Sequence, residues 1–230
     1  MISNNLKRYI LVFTSLLIIF TSSYTLSATK NVVEKKFIDA GLIDVHTIDS
    51  LIQVDLVNSS PEKNFFRQNY YDGLEKAYFR EEVAIKLSKA QKILQSKRPG
   101  YSLLIMDAAR PLSISQKMYD RMKGTKFEKF VANPKTGSMH NYGIAVDITI
   151  VDEKGKMLDM GVIPFYKSNL GLYWSYANFK LFGLSQKEIE NQEFLAGIMK
   201  EAGFLPLSYE WWHFNGTAKE YARRTYEIIP

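Results

Sequence analysis

The chain has 230 residues, enough for one domain with a sizeable apolar core, and a formal net charge of +6. It has no cysteine, which excludes disulfides, a thiol nucleophile and a lipid-modified cysteine. The basic excess is mild and the lysines are dispersed, as at Lys86, Lys89 and Lys92, so nothing argues for a nucleic-acid partner.

Met1 to Ala28 reads as a signal peptide. Lys7 and Arg8 form its basic start, Tyr9 to Phe20 its apolar stretch, and Ser22-Ser23 and Ser27-Ala28 the small residues near a cut. The expectation is export to the periplasm or the exterior, with residues 29–230 as a single domain. The apolar stretch is shorter than the about 20 residues a span needs, so no stable membrane span is expected after removal. An uncleaved N-terminal anchor is the alternative. Without residues 1–28 the balance is 28 basic against 24 acidic residues, or +4, suited to work near an anionic cell wall.

Thr29 to Asp39 is polar and reads as a loose leader. Ser50 to Val57 is a candidate first strand. Tyr78 to Gln95 carries Phe79, Val83, Leu87, Ala90 and Leu94 at helical spacing, and Pro99-Gly100 stops it. Tyr101 to Met106 is a short apolar run, read as a buried strand. Pro111 suits the first turn of a helix running to about Met122. Lys123 to Gly137 is a loop region. Ile144 to Val151 reads as a strand, and Asp152 to Gly155 as a hairpin turn leading into Lys156 to Met160. Gly161 to Gly183 is aromatic and poorly patterned, a lid or wall loop. Ser185-Gln-Lys-Glu188 is a capping-box pattern opening a helix that Gly203 ends. Phe204 to Phe214 returns to the sheet, and Thr217 to Tyr226 is a candidate final helix. The expected fold is α+β, an antiparallel-rich sheet with helices on one side and a site in a cleft on the sheet.

Chemistry concentrates in two clusters. One is Ser138-Met-His-Asn-Tyr-Gly-Ile-Ala-Val-Asp147; the other is Tyr209-Glu-Trp-Trp-His-Phe214. Of three histidines, His140 and His213 lie in these clusters, whereas His46 has no ligand pattern around it. With Asp147 and Glu210 they supply two imidazoles, a carboxylate ligand and a spare carboxylate, the set that a catalytic zinc site needs. Geometry restricts how they meet. A straight strand would hold His140 and Asp147 roughly 23 Å apart. Asn141-Tyr142-Gly143 offers the bend that closes that gap. An aspartate inside an apolar strand is expensive unless it is paired or bound to metal. Glu210 and His213, three residues apart, point to opposite faces of a flat strand, so an irregularity between them is required.

These residues resemble the zinc D-alanyl-D-alanine dipeptidases, within the D,D-peptidases that share S-x-H-x-x-G-x-A-x-D and E-x-W-H. Ser138, His140, Gly143, Ala145 and Asp147 match the first motif; Glu210, Trp212 and His213 match the second. Asp107-Ala-Ala-Arg110-Pro111, Asp159-Met160-Gly161 and Asn64-Phe65-Phe66 resemble further family blocks, over roughly residues 50 to 220. The resemblance implies one zinc per chain held by His140, Asp147 and His213, Glu210 as general base and acid assisting a zinc-bound water, and Arg110 at the oxyanion. Arg110 could instead form a structural ion pair with Asp107. Ser138 and Trp212 are the substrate-binding candidates. Tyr70-Tyr71 and Tyr173-Trp174 read as loop packing.

The implied function is a secreted zinc peptidase acting on D-alanyl-D-alanine. Its rivals are a D,D-carboxypeptidase trimming larger stem peptides and a non-catalytic module that binds cell-wall peptides; an intact Glu210 argues against the last. In one respect the chain departs from the strict dipeptidases. They place an aspartate for the substrate ammonium shortly after Met-Gly, but here Val-Ile-Pro-Phe-Tyr166 follows. The family's tyrosine in the N-terminal block is also missing, with Asn58 nearest. Asp159 or Glu153 is the candidate substitute acid.

Overall fold

The computed structural model describes residues 31–64, 66–125, 128, 131–161, 183–208 and 210–230. The segment read as a signal peptide, the aromatic segment 162–182, Phe65 and Tyr209 lie outside the described residues. Val32 to Pro230 forms one compact unit, and no described helix is long and apolar enough to cross a membrane.

The polar stretch read as a leader is instead helix α1 (Val32–Asp39). Val33 and Phe37, one turn apart, are its buried residues, while Val32 and Ile38 stay exposed beside the four charged residues. Half of this short helix is charged, and its apolar residues fall in two pairs, which hides the buried stripe. Strand β1 (Ile43–Asp44) then pairs with β3 (Tyr78–Phe79), Ile43 opposite Phe79. That pairing claims Phe79, so helix α2 begins later than its spacing suggested, at Glu81, and runs to Lys97. The expected strand over Ser50 to Val57 shrinks to β2 (Gln53–Val54), followed by a 3-10 turn over Val57–Ser59.

Strand β4 (Ser102–Asp107) and strand β5 (Ala145–Val151) are the apolar centre of the sheet, and helix α3 (Leu112–Met122) follows Pro111 as expected. Lys156 to Met160 adds only a single bridge, Met157 to Val151. Ser185 and Glu188 form the reciprocal cap of helix α4 (Gln186–Glu201). Strands β6 (Leu205–Leu207) and β7 (Glu210–Asn215) and helix α5 (Lys219–Thr225) complete the chain.

The five-stranded sheet has the order β2-β4-β5-β7-β6. Only β2 and β4 are parallel; the other neighbours are antiparallel. Helices α2 and α4 pack on each other and on this sheet. Val146, Ile148 and Ile150 of β5 belong to the main apolar core. Alternation therefore turns Asp147 and Thr149, both buried, to the opposite face.

Candidate metal centre

Pairing across three strands sets the site. Asp147 on β5 lies directly opposite His213 on β7 and, through a register shift in β4, opposite Asp107. Cross-strand partners share a face, so these three side chains line up on the side away from Val146 and Ile148. His140 reaches the same place from a 3-10 turn over Met139–Tyr142. Ser138 caps that turn by accepting the His140 N–H at 3.3 Å. Gly143 ends it at φ 72°, the left-handed conformation that glycine adopts without strain. This is the bend expected between His140 and Asp147.

The irregularity expected before His213 is also present. Pro206 pairs with Phe214, but Leu207 pairs with Glu210, so β7 bulges while β6 advances by one residue. The bulge lets Glu210 turn back, with its Oε2 3.8 Å from His213 Nδ1.

His140 Nε2 lies 3.2 Å from His213 Nδ1 and 3.3 Å from Asp147 Oδ1, and His213 Nδ1 lies 3.0 Å from the same oxygen. The other ring nitrogens fix the tautomers. His140 Nδ1 donates to the Ala108 carbonyl at 2.7 Å, and His213 Nε2 to Asn215 Oδ1 at 3.0 Å. Both bare ring nitrogens thus face a carboxylate oxygen. Three electron-rich atoms this close need a cation between them. Tetrahedral zinc ligands at about 2.0 Å would stand about 3.3 Å from one another, so the donor set and its spacing fit that metal. The only group of this kind among the described residues is His140, Asp147 and His213.

Electrostatics follow from burial. Burial pushes the Asp147 carboxyl up, but the two imidazoles outweigh it and hold its pKa well below the usual carboxylate range. Burial pulls His213 down, yet Asp147 and then Glu210 raise its pKa on balance. Burial raises Glu210 despite the opposing pull of His213.

Arg110 and Asp107 form the second half of the site. The guanidinium Nε and Nη2 both donate to Asp107 Oδ2, at 3.2 and 2.5 Å. The structural ion pair weighed for Arg110 therefore exists, and Arg110 still lines the cavity that holds His140, Asp147 and Glu210. Asp107 also accepts from Asn58 Nδ2, Tyr71 Oη and the Ala108 N–H. Tyr71 is thus a buried support for the Arg110 partner rather than loop packing. Asn58 lines the cavity too, and its Oδ1 is a buried acceptor without a partner among the described residues. Asn64 shapes this loop, donating to the carbonyls of Val57, Ser60 and Gln68. Ser138 and Trp212 both line the cavity, and Trp212 packs on Val57 and Met106. His46 stays outside, bonded to the Ile52 carbonyl. Neither Asp159 nor Glu153 lines the cavity; Asp159 caps the Gly161 N–H instead.

A family model described as D-ala-D-ala dipeptidase matches residues 39–229. The chain is 28% identical over 181 residues to a Synechocystis protein named D-alanyl-D-alanine dipeptidase, covering 63% of this chain and 71% of that protein. It is 29% identical over 126 residues to an Escherichia coli protein of the same name, covering 55% of this chain and 61% of the relative. A solved vancomycin-resistance D,D-pentapeptidase in complex with Zn(II) is 16% identical, with a TM-score of 0.36, over 64% of this chain and 78% of that one.

Proposed function

Because the chain belongs to the D-Ala-D-Ala dipeptidase family, we propose that it is a zinc-dependent peptidase hydrolysing D-alanyl-D-alanine or a related cell-wall peptide. The convergence of His140 Nε2, His213 Nδ1 and Asp147 Oδ1 beside Glu210 carries the reading. Those three residues would hold the ion. When bound, zinc supplies Lewis-acid polarisation and makes water more acidic.

The chain's own groups account for the remaining work. Glu210 takes the proton of the attacking water and returns it to the leaving amine; its burial-raised pKa brings it closer to working pH. Asp107 holds Arg110 through Nε and Nη2, which leaves Nη1 to donate to the developing oxyanion. Trp212 excludes water from one wall. The pattern of Met1 to Ala28 supports export, which N-terminal sequencing of the mature protein checks.

A second reading, action on longer or N-blocked D,D-peptides, has its own support. Among the described residues that line the cavity the only acids are Asp147 and Glu210, and both are already engaged. An ammonium without a carboxylate partner loses a charge-assisted hydrogen bond of roughly 1.5–3 kcal/mol, a factor of about ten to a hundred. Measuring kcat/KM on D-Ala-D-Ala, its N-acetyl form and a stem pentapeptide separates the readings. A preference above about a hundredfold for the free amine marks a strict dipeptidase. No hydrolysis of any of the three refutes the peptidase reading.

A further inference from the structure

The cavity lining contains three cations: Arg110, Lys219 and Arg223. Arg110 is largely enclosed, 11% exposed, and committed to Asp107. Lys219 and Arg223 differ from it. They lie one turn apart on α5, both exposed, and among the described residues neither has a carboxylate within ion-pair distance. The contact Arg223 makes is a long hydrogen bond, 3.4 Å, to the Thr136 carbonyl. Two like charges at this spacing repel along a helix. Here they also share one rim, beside the turn that presents His140.

Resting on the peptidase reading above, we propose that Lys219 and Arg223 bind a carboxylate of the peptide substrate. A D,D-peptide that ends in a free acid must bring that charge into a cavity whose floor carries Asp147 and Glu210. Lys219 and Arg223 supply the opposing charge. The same exposed pair at the rim would attract the anion from solution before it reaches the acids below. The carboxylate has two sources: the C-terminus of the scissile dipeptide, or an acidic residue further along a stem peptide.

The test uses the full mature chain with its metal and the substitution Glu210→Gln, so that binding is read without turnover. Calorimetry gives Kd for D-Ala-D-Ala and its C-terminal amide, and for a stem pentapeptide with its glutamyl carboxyl free or amidated. Adding Lys219→Gln and Arg223→Gln together should cut the preference for acid over amide about tenfold in one of the two pairs. Loss in the dipeptide pair assigns the C-terminal carboxylate; loss only in the pentapeptide pair assigns the upstream acid. The charge-keeping swap, Lys219→Arg with Arg223→Lys, should retain the preference. Raising salt from 0.1 M to 1 M, which shortens the screening length from about 10 to about 3 Å, should weaken binding to the parent more than to the double variant. An unchanged acid preference in both pairs overturns the proposal, as does the absence of measurable binding. Failure of the parent enzyme to hydrolyse peptides would sink the peptidase reading and leave these binding results standing.

Discussion

Asp107→Asn is the substitution with the largest consequence to be worked from the structure. The side chain is 1% exposed and accepts from five donors: Asn58 Nδ2, Tyr71 Oη, the Ala108 N–H, and Arg110 Nε and Nη2. The amide has nearly the same shape, so no cavity forms. It carries no charge, however, and its NH2 must face donors on one side or the other. Arg110, 11% exposed, is left a cation without its counter-ion. Breaking a buried pair from one side costs about 3–5 kcal/mol. At about 2–4 °C per kcal/mol for a domain of this size, Tm should fall by roughly 6–20 °C. Thermal unfolding followed by circular dichroism measures it. Removing the cation too, as Asp107→Asn with Arg110→Met, should recover part of that loss, because an apolar replacement of both partners is far less costly. A single variant that melts within about 2 °C of the parent would refute the reasoning, since Arg110 would then be solvated or paired elsewhere.

Three further outcomes are expected. His213→Ala should lose zinc at low free zinc, measured by metal analysis of the purified protein; full retention removes His213 from the ligand set. Glu210→Gln should keep the metal but lose about 10²–10⁴-fold in kcat, because the amide cannot accept the proton. Gly143→Ala should destabilise the fold by at least about 1 kcal/mol in denaturant titration, since an added Cβ would sit 2.5 Å from Leu42 Cδ2 at φ +72°.

The site's metal-binding half was legible because local physics exposed it. An aspartate in the run Ile144 to Val151 had no cheap explanation other than a cation, and Asn141 to Gly143 marked the bend that brings His140 back. The parity of Glu210 and His213 required the bulge that the Leu207–Glu210 pairing shows. The supporting half was not legible. Tyr71 and Asn58 reach Asp107 across 36 and 49 residues of sequence. No local pattern announces such contacts. Helix α1 was missed for a related reason: of its four apolar residues only Val33 and Phe37 are buried, and no local pattern separates them from exposed Val32 and Ile38 until the core is known. The rim cations show the same limit, since nothing in the sequence around Lys219 and Arg223 signals that α5 lies beside the turn of His140.

Formal charge explains why this sheet face requires a divalent cation rather than a proton. Asp107 and Arg110 cancel one another at close range. Asp147 and Glu210 then remain, with two imidazoles whose outer N–H groups are committed to Ala108 and Asn215 as neutral tautomers. The buried remainder is two negative charges facing bare ring nitrogens. One proton on His213 halves that imbalance, which is the sense of its raised pKa. A doubly charged ion removes it altogether and satisfies three converging lone pairs at once. The same argument bears on the proposed role of Glu210, because a nearby cation favours its ionised form. With the cation in place its ionised form has a counter-charge nearby, so it can be both half-buried and deprotonated at working pH.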